Sequence, residues 1–164
     1  MSPPNFIVTV PLLAILGVAT FSDLRERRIP NALSLGGAAL GLLTNAVYFG
    51  STGAVLAIVG WALCLACFLP LYMTGGTAAG DVKLMATVGA FLGPMNGFFA
   101  CAFALLAGAS LAVLYMAWRG IVAPHLTAHA VRGYALDKIP YATAIAMGAV
   151  AAVVQPAWIT APFN

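Results

Sequence analysis

Asp23 and Asp81 are the side chains whose type and placement can do chemistry in this chain. Its 164 residues hold only four acids, Asp23, Glu26, Asp81 and Asp137. Asp23 directly follows the first apolar run and Asp81 directly precedes the fourth. A carboxylate at a membrane boundary is costly to bury unless it is paired or functional. Two carboxylates brought close together do not both ionise readily, so one keeps its proton while the other stays anionic. That division suits peptide hydrolysis: the anion draws a proton from water, and the acid donates to the carbonyl oxygen or the leaving amine. No metal, cofactor or covalent intermediate is needed. The plainer alternative is that each aspartate caps a helix or pairs with a nearby arginine, and Asp81 suits a helix start.

The residues around Asp81 favour the chemical reading. In Met73-Thr-Gly-Gly-Thr-Ala-Ala-Gly-Asp81-Val-Lys-Leu-Met85 small residues lead into the acid. Gly80 permits a backbone conformation and a close approach that a larger residue obstructs, so a substrate strand can lie against this loop. Lys83 is a second candidate for substrate contact, although its long stem equally suits an anchor at the lipid headgroups.

The elements that must position these residues are membrane helices. Of the chain, 63% is hydrophobic and only 7% charged, against about 25% charged in soluble domains. A hydrocarbon core of about 30 Å takes about 20 apolar residues per helical crossing. Apolar runs at 5–22, 32–49, 53–73, 82–93, 95–118 and 141–160 therefore predict an all-α integral membrane protein, a bundle of about six transmembrane helices forming one domain over 1–164. The fourth run is short, either a half-span or a helix extended through Gly93-Pro94. The first is expected to be a retained span, because no basic region precedes it and no small-residue cleavage site follows it.

Charge gives the expected orientation. Arg25, Arg27 and Arg28 lie in the first loop, Lys83 in the third, and Arg119, Arg132 and Lys138 in the fifth. The even loops contain no Lys or Arg, so six spans put every basic residue on one side. Basic loops are preferentially retained in the cytoplasm, which predicts both termini on the non-cytoplasmic side and Asp23 and Asp81 at the cytoplasmic face. The net charge of +3 is explained in the same way, and nucleic-acid binding is not expected.

Other features read as structural. Cys64, Cys67 and Cys101 all fall within apolar runs, where packing is the expected role. His125 and His129 are spaced to share a helix face, yet Pro124 leads the pair and no Glu or Cys completes a metal site nearby. They read as part of an interfacial segment. Arg119, Arg132 and Lys138 suit anionic headgroups, and Asp137 beside Lys138 suits a local ion pair. Gly37-Ala-Ala-Leu-Gly41 is a G-x-x-x-G pattern that allows close helix packing, within one chain or between two. Oligomeric state is left open.

Three segments resemble, in order, signatures of the type IV prepilin peptidases: Phe21-Ser-Asp-Leu-Arg-Glu-Arg-Arg-Ile-Pro-Asn31, Ala79-Gly-Asp-Val-Lys-Leu84 and Lys138-Ile-Pro-Tyr-Ala-Thr-Ala-Ile-Ala-Met-Gly148. The resemblance implies an aspartyl endopeptidase of the bacterial inner membrane that removes the short basic leader of prepilins or pseudopilins on the cytoplasmic side. Asp23 and Asp81 match the two catalytic aspartates. Similar enzymes carry the second in G-x-G-D, where this chain has Ala78-Ala-Gly-Asp81. The longer members also N-methylate the new terminus and carry an added cytoplasmic region, often with zinc-binding cysteines. Here the first span begins almost at once, so the chain resembles the short, peptidase-only form found with Flp-type tight-adherence pili. Two rival readings remain at this stage: a small ion or proton-coupled transporter using the same acids, and a noncatalytic pilus-assembly component.

Overall fold

The computed structural model describes residues 3–26, 30–122 and 141–154. Within them the chain is helical apart from short connections: α1 is Pro3–Glu26, α2 Asn31–Met73, α3 Ala79–Val122 and α4 Tyr141–Val154. In lipid the backbone must satisfy its own hydrogen bonds, and a helix does this within one segment. Three helices, over Phe6–Arg25, Asn31–Met73 and Ala79–Leu114, are long and apolar enough to cross a membrane, and Ala142–Val154 is shorter. Arg27, Arg28, His125, His129, Arg132, Asp137 and Lys138 lie outside the described residues.

Among the described residues there are four helices rather than the six expected. The reason is that two of the expected breaks are not loops. In α2 the helical conformation is interrupted only at Gly50 (φ 66°, ψ −152°), and in α3 only at Gly93 (φ 73°, ψ −178°). Both lie in a backbone region essentially open to glycine alone. The chain reverses at each. A side chain added at Gly53 would collide with the Asn45 carbonyl, and one added at Gly97 would come 3.4 Å from Gly89 Cα. Residues eight apart on a straight helix are separated by about 12 Å, so α2 and α3 each fold into two arms. The run at 82–93 belongs to the first arm of α3, and Pro94 opens the second, where its missing N–H would be unpaired in any case.

Asn45 secures one reversal. The carbonyls of Ala90 and Phe91 belong to the last turn before Gly93, where a helix leaves acceptors unsatisfied. Asn45 Nδ2 donates to both, at 3.0 and 3.2 Å, and to Gly41 O at 3.0 Å. At the other end of the same seam, Thr87 Oγ1 donates to Ser34 O at 2.8 Å and to Lys83 O at 3.0 Å.

Small residues let α2 and α3 meet backbone to backbone. Gly60 lies against the Gly89 carbonyl and Gly93. Gly37 packs under Thr87 and Gly41 under the Phe91 ring, so the G-x-x-x-G pattern serves a contact inside one chain. Leu12, Leu16, Phe68, Leu84, Met85, Val88, Phe91 and Ile145 fill the core. Cys64 and Cys101 are buried and Cys67 half-buried, all as free thiols. Large apolar residues such as Leu35, Val47 and Val113 face outward, as a lipid-facing surface requires.

Candidate active site

Because α2 and α3 double back, the chain entering and leaving them comes to one end of the bundle, with Gly50 and Gly93 at the other. Asp23, in the last turn of α1, accepts a hydrogen bond at Oδ2 from the Ala142 amide of α4, at 3.3 Å. Asp81, in the first turn of α3, accepts at Oδ2 from the Ala78 amide, at 3.1 Å. Lys83 Nζ, one residue further on from Val82, donates to Asn31 Oδ1 at the start of α2, at 2.9 Å. Residues from all four helices thus converge around the two acids.

The local structure explains how Asp81 is held. Ala78 O accepts the amides of Asp81 (3.1 Å) and Val82 (3.4 Å), which makes Ala78 the N-cap of α3 and Asp81 its third residue. An acid there can reach back to the N-cap amide, as one half of a capping box. Asp81 does so, and the capping alternative considered from sequence is therefore real, but it engages only one oxygen. Among the described residues neither aspartate forms an ion pair with Arg25 or Lys83. Asp81 is buried, at 6% exposure, and Asp23 half-buried. The two carboxylates are close enough to interact electrostatically.

One sequence expectation changes here. Gly80 is in ordinary helical conformation; the residue of this loop that uses positive φ is Gly75, at 76°. The loop turns at Gly75 because its amide and that of Gly76 bond back to Tyr72 O and Leu71 O, and the helix has already begun by Gly80. Ala78, which stands where similar enzymes have glycine, is exposed and meets Asp81 through its amide, a group that alanine and glycine both supply. Lys83 is exposed and tied to Asn31.

Sequence reasoning assigned no role to Ala142 or Asn31, although both fall within the quoted segments. It also passed over Thr20 and Thr77, whose Oγ1 atoms are buried without a hydrogen-bond partner. Thr20 lies one turn before Asp23, and Thr77 directly precedes Ala78.

These features define a helical membrane protein with a carboxylate pair at one end of its bundle. The sequence model of the type IV leader peptidase family matches residues 10–116, a stretch that includes both aspartates. The chain belongs to that family, and is accordingly a membrane protease of the leader-peptidase type. No curated protein and no solved structure matches it.

Proposed function

We propose that this leader peptidase is an aspartic endopeptidase that removes the short basic leader from prepilins or pseudopilins at the cytoplasmic face of the bacterial inner membrane, with Asp23 and Asp81 as its catalytic pair. The observation that carries the reading is the meeting of two carboxylates from separate helices, each with Oδ2 held by a backbone amide. With one proton on the pair, the ionised carboxylate takes a proton from water as the water oxygen attacks the scissile carbonyl carbon. The protonated carboxyl gives its proton to the carbonyl oxygen. The tetrahedral diol then collapses as its oxygen loses a proton to one carboxylate and the leaving nitrogen gains one from the other. The C–N bond breaks, and the pair again holds one proton.

The remaining assignments rest on the same end of the bundle. Retention of basic loops puts Arg25 and Lys83, and with them both acids, at the cytoplasm, and both termini on the far side. A basic leader followed by an apolar helix would enter laterally from the bilayer, its cut site passing Gly80 and Lys83 beside Asp81. By the resemblance already described, this enzyme is a peptidase-only form without N-methyltransferase activity, of the kind serving Flp-type pili. Acids at helix ends beside a loop favour hydrolysis over transport, for which carboxylates midway along a span are expected.

Co-expression with a prepilin tests the proposal. Wild type shortens the prepilin, and Asp23→Asn and Asp81→Asn each leave it full length. Complete processing by either variant would refute the two-aspartate mechanism.

A further inference from the structure

A hydroxyl inside an apolar helix ordinarily bonds back to a carbonyl of the preceding turn. This chain does so repeatedly: Thr44 to Leu40 O at 2.7 Å, Thr74 to Leu71 O at 3.0 Å, Thr87 to Lys83 O at 3.0 Å and Ser110 to Ala107 O at 2.8 Å. Thr20 and Thr77 depart from the pattern. Their Oγ1 atoms are shut off from solvent and bonded to nothing among the described residues. An unmade hydrogen bond of this kind costs about 1–3 kcal/mol. Thr77 is the more telling of the two, because the neighbouring Ala78 and Ala79 are exposed while its hydroxyl is turned inward.

Both hydroxyls fall beside the acids. Thr20 is three residues before Asp23 on α1, a spacing that brings side chains to about 5–6 Å between Cβ atoms. Thr77 adjoins the residue whose amide holds Asp81 Oδ2. One unused donor is therefore a single helical turn from Asp23, and the other adjoins the residue that caps Asp81.

An extended strand presents a carbonyl and an amide at every residue, and in apolar surroundings each needs a partner. We infer that Thr20 and Thr77 are substrate-positioning residues whose hydroxyls, covered in the free protein, are uncovered as the prepilin strand parts the helices and then donate to its main-chain carbonyls on either side of the scissile bond. This rests on the proposed peptidase function. Such contacts hold the scissile bond against the carboxylates without reading leader side chains, so their effect is the same for leaders of different sequence.

The test uses the full chain in lipid nanodiscs and a synthetic prepilin peptide spanning the cut site. Thr20→Val and Thr77→Val keep side-chain shape and remove the hydroxyl. Each is expected to lower kcat/KM about tenfold, the worth of one hydrogen bond, and to weaken peptide binding similarly when introduced into Asp81→Asn protein. Thr→Ser at the same positions restores both. The thermal midpoint of the free protein holds or rises, since valine removes an unsatisfied group. Unchanged kcat/KM and binding overturn the assignment for that threonine, while Asp81→Asn inactivity alone leaves the peptidase reading standing. A fall in thermal midpoint that accounts for the activity loss, with no rescue by serine, identifies a structural role and overturns it as well. If wild type neither binds nor cuts any prepilin peptide, the proposed function fails and this inference with it.

Discussion

Asp81 caps α3 and, under the proposed function, also shares the catalytic proton, and two substitutions at this position divide the two roles. Its Oδ2 accepts the Ala78 amide at 3.1 Å, a contact that the side-chain oxygen of asparagine can also accept, whereas alanine leaves that amide without its partner. Loss of such a cap costs about 1–2 kcal/mol, and in a chain of this size each kcal/mol shifts the thermal midpoint by about 2–4 °C. Asp81→Ala is therefore expected to unfold about 2–8 °C below wild type. Asp81→Asn is expected to match wild type or exceed it, because it also removes a buried charge facing Asp23. Activity should not follow stability. Neither variant can hold or release the proton, and general acid–base catalysis is worth about a hundredfold or more, so both should fail to process a prepilin. Unfolding is measured by the reactivity of the buried thiols Cys64 and Cys101 on heating in detergent, and processing by the gel shift of the shortened prepilin. Wild-type processing by the asparagine variant, with loss of both properties in the alanine variant, would show that Asp81 only caps α3.

The reversals and their clasp can be tested in the same unfolding assay. Gly50→Ala and Gly93→Ala force a Cβ into conformations with φ of 66° and 73°, so each is expected to cost about 1–3 kcal/mol. Gly36→Ala, where no heavy atom lies within 4 Å of the added carbon, should leave stability unchanged or slightly raised. Asn45→Leu removes the donor shared by Gly41 O, Ala90 O and Phe91 O and is expected to cost about 1 kcal/mol or more. Prepilin processing by Asn45→Leu should persist at temperatures where the protein stays folded, because the residue lies at the end of the bundle opposite the acids.

The apolar runs, the break at Gly93-Pro94 and the position of Asp23 and Asp81 at helix ends were legible because hydropathy and rare charges are written in side chains. The single-residue reversals were not. Gly50 looks like any loop glycine in the sequence, and the φ that makes a loop unnecessary belongs to the backbone. The same limit explains Gly80: composition marked the loop as glycine-rich without telling which glycine bends it, and Gly75 does. The partners of the acids were hidden for a related reason. Ala142 and Ala78 contribute amides, and an amide leaves no trace in residue type. Among the described residues Thr20 and Thr77 are set apart by hydroxyls that are buried without a partner, a property that exists only after folding.

The choice of amides as partners bears on the chemistry itself. A guanidinium or ammonium set against either carboxylate would carry a full charge and favour two anions, whereas the proposed reaction needs one proton shared across the pair. Arg25 and Lys83 lie close in sequence to Asp23 and Asp81, yet neither pairs with them, and Lys83 is occupied with Asn31. The amides of Ala142 and Ala78 fix one oxygen of each acid with only partial charge and no proton of their own to exchange. Each acid is thereby oriented through one of its oxygens. The contact that Asp81 makes at residue 78 uses an N–H and a helix start, and alanine provides both as glycine would.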